Sequence, residues 1–212
     1  MLARRAVHGL YAITPDEPDT AVLLRKARLA LQGGAQILQY RNKTADAGLQ
    51  TRQAQALRQL TREFNATFIV NDDPGLAAAA DADGVHLGGD DGSVPAARAL
   101  LGEAGIVGVS CYNRAPLAFA AAQQGADYVA FGAFFASAVK PGALQAEVPM
   151  LRAARTGLNV PIVAIGGITL QNGAALIEAG ADALAVISAL WNAPDIERTA
   201  RKFSTLFSKA SS

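Results

Sequence analysis

The hydrophobic residues of this chain fall into short runs at regular intervals. Eight runs read as strands: 9–14, 36–40, 67–71, 84–87, 106–110, 127–131, 161–165 and 183–187. Several of them, "TFIVN", "IVGVS", "DYVAF" and "PIVAI", are nearly continuous rather than alternating. That is the pattern of parallel strands covered on both faces. Between the runs, apolar positions recur at helical spacing. Residues 20–32 place Val22, Leu23, Ala27, Ala30 and Leu31 on one side. A last helix over 194–207, opened by Pro194, groups Ile196, Ala200, Phe203 and Phe207.

One phrase returns at the joints. "QGGAQILQY", "QQGADYVAF" and "EAGADALAV" each pass from a helical tail through glycine into a strand, and "ADADGVHL" is a looser version. Glycine accepts the left-handed turn that closes a helix, and the strand begins at once. Eight strands alternating with about eight helices in 212 residues predict one α/β domain over 1–212, a minimal (β/α)8 TIM barrel. A doubly wound open sheet would carry five or six strands and a glycine fingerprint after the first, where this chain has "YAITPDEP".

Composition narrows the partners. With 51% hydrophobic residues there is material for one large core. A net charge of +1 argues against a nucleic-acid track or an anionic membrane surface, so any positive potential is local. No apolar run approaches the ~20 residues of a membrane span. The start, "MLARRAVHGLYAIT", is broken by His8 and runs into "PDEPD", unlike a signal peptide. The single Cys111 leaves no intrachain disulfide and fits a reducing cytoplasm. An exposed apolar barrel face would suit a homodimer.

In a barrel, chemistry gathers at the C-terminal ends of the strands, and the polar residues of this chain fall there. The second strand ends in Gln39, Arg41 and Lys43, and the third in Asn71 and Asp72. The fourth runs through His86 into "GGDDG", with Asp90 and Asp91. The fifth ends at Ser110, and the sixth opens into "GAFFASAVKPG", with Ser137 and Lys140. Each has a plain reading as well. Asn71 and Asp72 suit a cap for the third helix, and "GGDDG" suits a turn. His86 suits a satisfied core position, Cys111 a small buried side chain, and Arg41 and Lys43 a surface bridge to Asp46. Convergence on one rim favours the functional reading. After the seventh and eighth strands, "AIGGI" and "AVIS" predict a phosphate site, with Gly166-Gly167 admitting an anion close to the backbone and Ser188 opening the last helical segment.

Charge supplies a ligand class. Arg41, Lys43 and Lys140 against Asp72 and Asp91 leave one net positive charge. A divalent ion on the two aspartates would raise it to three, matching the roughly three negative charges of a diphosphate ester. Carboxylate oxygens suit Mg²⁺, which favours one or two carboxylates plus substrate phosphates. The residues therefore predict a metal-bound diphosphate beside strands two to six and a monophosphate beside strands seven and eight.

The motifs "QYRNK", "NDDPGLA", "ADGVHLGGDD", "GVS", "GADYVAFGAFFASAVKP", "AIGGI" and "GADALAVISAL", in this order from Tyr11 to about Phe203, resemble the bacterial thiamine phosphate synthase family. That family joins 4-amino-2-methyl-5-(diphosphooxymethyl)pyrimidine to a thiazole phosphate, plain or carboxylated, and releases pyrophosphate. The resemblance implies that Gln39, Arg41 and Lys43 grip the pyrimidine diphosphate, with Tyr40 and Asn42 completing the segment and Asn71, Ser110 and Lys140 adding contacts. Asp72 and Asp91 would hold Mg²⁺. Ser137, Ala138, Val139, Gly167, Ile187 and Ser188 would hold the thiazole phosphate. The implied mechanism is ionisation of the CH2–O bond, stabilised by Arg41, Lys43, Lys140 and the metal. Capture of the resulting cation by the thiazole nitrogen would follow, under a candidate lid at 132–142.

Three segments depart from the family's common pattern. A usual glutamine is Gly89, the usual histidine after Ser110 is Tyr112, and a usual threonine of the lid is Val139. These are expected to affect the thiazole side, since the diphosphate and metal ligands are intact. The alternatives are the paralogous thiazole tautomerase and a non-catalytic phosphate-binding barrel. The former is expected to want an imidazole where Tyr112 stands and to have no use for Lys43, Asp72 and Asp91.

Overall fold

The computed structural model describes residues 7–89, 91–136 and 145–210. Its strands are β1 (Gly9–Ile13), β2 (Ile37–Tyr40), β3 (Thr67–Asn71), β4 (Gly84–Leu87), β5 (Ile106–Tyr112), β6 (Tyr128–Phe131), β7 (Ile162–Ile165) and β8 (Ala183–Val186). They are parallel, pair in sequence order and close through β8 onto β1. The (β/α)8 barrel expected from the sequence is therefore the fold, with strand limits within two residues of those expected. The helices are α1 (Thr20–Gln32), α2 (Ala47–Glu63), α3 (Pro74–Ala79), α4 (Val94–Leu101), α5 (Ala115–Gln123), α6 (Val148–Gly157), α7 (Gly173–Glu178), α8 (Ser188–Trp191) and α9 (Ile196–Ala210). The last helix starts at Ile196 rather than Pro194, because Asp195 takes the Arg198 N–H at 2.9 Å and so holds the N-terminus there.

Two apolar layers follow from the two-residue period of the strands. Tyr11, Ile37, Ile69, Ile106, Tyr128 and Val163 fill the barrel interior. Leu10, Leu38, Phe68, Val70, Val107 and Leu184 point outward and pack under the helices. One step of two beyond the inner layer, the same parity puts Gln39 after Ile37 and Asn71 after Ile69. His86 then follows Gly84, and Ser110 follows Gly108. The site is the next storey of the interior. Gly108 makes room in that interior, since a Cβ there would lie 2.0 Å from the Tyr128 ring.

The recurring Gly-Ala-Asp phrase proves to be more than a junction. Its glycines turn left-handed, as at Gly125 (φ 90°) and Gly180 (φ 106°). Its aspartates form a clasp used three times. Asp83 donates its N–H to the Phe68 carbonyl and takes the Phe68 N–H at 2.8 Å. Asp127 does the same with Val107, and Asp182 with Ile162. An arginine from a preceding helix closes each clasp: Arg58 at 2.9 Å, Arg98 at 2.5 Å and Arg155 at 2.8 Å. All three lie where strands enter the barrel, at the end opposite the polar rim, where residues serve stability.

Candidate active site

At the C-terminal rim the strands surround a cleft of about 940 Å³. Gln39, Arg41, Lys43, Asn71, Asp72, Asp91, Ser110, Gly167, Ile187 and Ser188 all line it, together with His86, Tyr112 and Arg114. Ten of the twelve predicted residues that fall among the described ones thus share one space. Tyr40 and Asn42 do not line it. Tyr40 points outward and donates to Gln53 Oε1 at 2.8 Å, and Asn42 donates to Gln53 Oε1 and the Glu17 carbonyl. They complete the β2 segment from behind, fixing the backbone that aims Arg41 and Lys43. Ser137, Ala138, Val139 and Lys140 lie outside the described residues, as do Asp90 and most of the candidate lid.

The two cations are held by acids that were not paired with them in the sequence reading. Arg41 meets Asp16 at 3.2 Å, and the Lys43 N–H donates to the same carboxylate at 2.8 Å. Lys43 Nζ reaches Asp72 at 3.0 Å. Asp46 instead caps α2 by accepting the Leu49 N–H. The third helix is capped by Asp73, which accepts from Leu76, so Asn71 and Asp72 are free of that duty. Asp72 sits at φ 65°, a left-handed conformation that aspartate tolerates better than most residues and that recurs at functional sites.

Asp72 and Asp91 stand side by side over Gly88. Burial raises the Asp72 carboxyl, but the bonds from Lys43 and Asp91 outweigh it and leave it below its ordinary value. Partial burial and the bond with Asp72 raise Asp91. Opposed shifts of this kind mark two carboxylates that act on each other's ionisation at close range. The same oxygens fit a hard cation. A Cβ on Gly88 would lie 2.5 Å from Asp91 Oδ2 and 4.0 Å from Asp72 Oδ1, so the missing side chain leaves both carboxylates converging on one point. Among the described residues no group of three or more ligating side chains occurs. Two carboxylates with substrate phosphates are what Mg²⁺ prefers.

Beneath the rim runs a buried polar chain. Gln39 Nε2 donates to Tyr11 Oη at 2.8 Å, Tyr11 Oη meets Tyr128 Oη at 2.8 Å, and Tyr128 Oη meets His86 Nδ1 at 2.9 Å. His86 Nε2 then meets Ser110 Oγ at 2.9 Å. Burial raises both tyrosines well above their ordinary value, so they stay neutral hydroxyls. An amide NH2 only donates. Carrying its sense along the chain gives every hydrogen one acceptor and makes His86 Nε2 the donor to Ser110, whose own hydrogen is then left for the cleft. His86 is thus the satisfied interior histidine expected of it, and it also orients a predicted substrate contact.

Across the cleft, Gly166 (φ 99°) and Gly167 (φ 63°) turn β7 toward Ser188. Any Cβ at Gly166 would lie 2.4 Å from Ala133, and one at Gly167 would lie 2.5 Å from the Ala136 carbonyl. Glycine is required by both conformation and space. The Gly167 carbonyl is held by Asn172 at 3.0 Å, which fixes the peptide facing the cleft.

Comparison with known proteins bears on this geometry. Residues 10–190 match the family model described as thiamine monophosphate synthase. The chain belongs to the thiamine monophosphate synthase family. A thiamine-phosphate synthase of Methylobacillus flagellatus is 57% identical over 95% of this chain and 96% of its own length. One of Aromatoleum aromaticum is 51% identical over 95% and 97%. Among solved structures, a thiamine phosphate pyrophosphorylase from Pyrococcus furiosus superposes with a TM-score of 0.87 at 33% identity, covering 96% of this chain and 97% of that one.

For a thiamine monophosphate synthase family member, two of the three departures now have a place. Gly89 and Tyr112 touch: the Gly89 N–H donates to Tyr112 Oη at 3.1 Å. They stand beside Asp91, on the carboxylate side of the cleft. Asp16, Tyr11 and Tyr128 went unselected. Asp16 stood in "TPDEP" on the right rim, and the tyrosines were legible only as inner-face positions of strands.

Proposed function

We propose that this chain makes thiamine phosphate, as its relatives' names say of them. On this reading it is a transferase that joins the pyrimidine diphosphate to 4-methyl-5-(2-phosphoethyl)thiazole, carboxylated or not, and releases pyrophosphate. The observation that carries the reading is the single cleft that Arg41, Lys43, Asp72, Asp91 and Ser110 share with Gly167 and Ser188. It offers cations for one anion and a glycine-lined backbone for a second.

The roles follow from chemistry. Arg41 and Lys43 stabilise negative charge growing on the leaving oxygen, with Lys140 assigned the same role by the sequence resemblance alone. Asp16 keeps Arg41 extended into the cleft. Asp72 and Asp91 would hold Mg²⁺, which would neutralise diphosphate charge when bound. Gln39, Asn71 and Ser110 orient the pyrimidine, Ser110 with its hydrogen directed into the cleft by the chain from Gln39. Glycines 166 and 167, Ile187 and Ser188 hold the thiazole phosphate so that the ring nitrogen meets the CH2 cation. Holding both partners in line is worth as much as ~7–11 kcal/mol of barrier. No described helix is long and apolar enough to cross a membrane, and the reading places the enzyme in the cytoplasm. Sedimentation decides the homodimer, for which the exposed Leu100 and Phe119 on α4 and α5 are the natural contacts.

The test is an end-point assay with both substrates, with and without a chelator. Pyrophosphate and thiamine phosphate in equal amounts, lost on chelation and restored by Mg²⁺, are expected. Isomerisation of the thiazole phosphate insensitive to chelator would replace this reading with a tautomerase. Binding of both substrates without product would leave a non-catalytic barrel.

A further inference from the structure

Tyr112 is an odd residue for its place. The residue is 44% exposed although it is large, and its φ of 53° is unusual for a bulky side chain. The conformation is built in. The β5–β6 register slips between Ser110 and Tyr112, and the Tyr112 carbonyl is tied to the Gly132 N–H at 2.9 Å. Cys111 turns into the buried helix layer, and Ser110 and Tyr112 both face the cleft. A bulge of this kind re-aims a side chain, and strained backbone at a site persists where the surroundings enforce it.

What the ring is aimed at is Gly89. The phenol oxygen accepts the Gly89 N–H at 3.1 Å, and a Cβ on Gly89 would lie 3.0 Å from that oxygen and 3.6 Å from the ring. The ring therefore stands in the volume a side chain at 89 would use. The segment it touches carries Asp91 and is rich in glycine, with Gly88, Gly89 and Gly92, the last at φ 109°. Such a segment loses more conformational freedom on ordering than any other composition. Within it, Gly88 donates to Asp91 Oδ2 at 2.8 Å. That bond orients the carboxylate relative to its own turn but does not fix the turn to the barrel. The phenol does.

We propose that Tyr112 is a positioning residue for the metal ligand Asp91: its hydroxyl and ring dock the Gly88–Gly89 backbone on β5, and so hold Asp91 opposite Asp72. The inference rests on the reading of Asp72 and Asp91 as metal ligands. It makes Gly89 and Tyr112 one unit, since a Cβ at 89 would press on the phenol oxygen at 3.0 Å and push it from the Gly89 N–H.

Mn²⁺ binding to the full chain, read by electron paramagnetic resonance with pyrophosphate present, tests it. Loss of one ordinary hydrogen bond predicts that Tyr112→Phe weakens Mn²⁺ affinity about 3–10-fold. In the assay, the metal concentration needed for half-maximal rate rises by the same factor, while the rate at saturating metal falls less. Gly89→Ala weakens binding in the parent chain, yet adds nothing in the Tyr112→Phe background, where the 3.0 Å contact is gone. Asp91→Ala is the control and loses the ion. If Tyr112→Phe binds Mn²⁺ as the parent does while Asp91→Ala does not, the positioning role is overturned and the metal reading stands. Unchanged binding in both overturns the metal reading and the positioning role together. A lower melting temperature with unchanged Mn²⁺ affinity also overturns it, leaving Tyr112 as scaffold alone.

Discussion

At the scale of single residues, the site is defined by which polar groups have structural work and which do not. Asp46 and Asp73 cap helices, so their carboxylates are spent on backbone N–H groups. Lys43 is more than half exposed and its ammonium pairs with Asp72, and an exposed pair contributes little stability. Lys43→Ala is therefore expected to leave the melting temperature unchanged and to cut turnover by about 10²–10³-fold, the usual loss when one transition-state charge partner goes. A near-normal rate would remove Lys43 from the leaving-group site. Cys111 is the opposite case. Burial pushes its thiol up to about 12, so at pH 8 it is neutral and shielded. A thiol reagent such as dithionitrobenzoate should not react with the native chain and should titrate one thiol on unfolding. Asp16 shows what the sequence hid. Its pairing with Arg41 spans two loops 25 positions apart, and only the β1–β2 register brings them together.

At the scale of elements, the strands were legible because continuous apolar runs have few other uses at that length. The C-terminal ends of those strands then pointed to Gln39, Asn71 and Ser110, and all three line the cleft. What could not be read was anything set by pairing across the barrel: the Tyr11–Tyr128 contact joins residues 117 apart, and the Tyr112 phenol reaches back to β4 through a register slip. The Gly-Ala-Asp phrase is a middle case. Its glycines announced the turns, whereas the aspartate role depends on arginines two elements away. Asp127→Ala removes a largely buried acceptor from Val107 and Arg98. The expected cost is about 2–3 kcal/mol. For a chain of this length that lowers the melting temperature by roughly 5–10 °C. Because the clasp lies at the far end of the barrel, turnover at 25 °C should stay within twofold. Calorimetry and the end-point assay check the two halves.

At the scale of the whole molecule, the barrel brings the ends of all eight strands around one cleft, and none of them carries the chemistry alone. Two adjacent carboxylates, with cations beside them, make a site fitted to a metal and a polyanion together. The most direct test is an anomalous difference map from crystals grown with Mn²⁺ and pyrophosphate. The expected result is one peak between Asp72 and Asp91, with the pyrophosphate lying against Arg41 and Lys43. A peak elsewhere, or pyrophosphate bound away from those cations, would contradict the shared metal–diphosphate cleft.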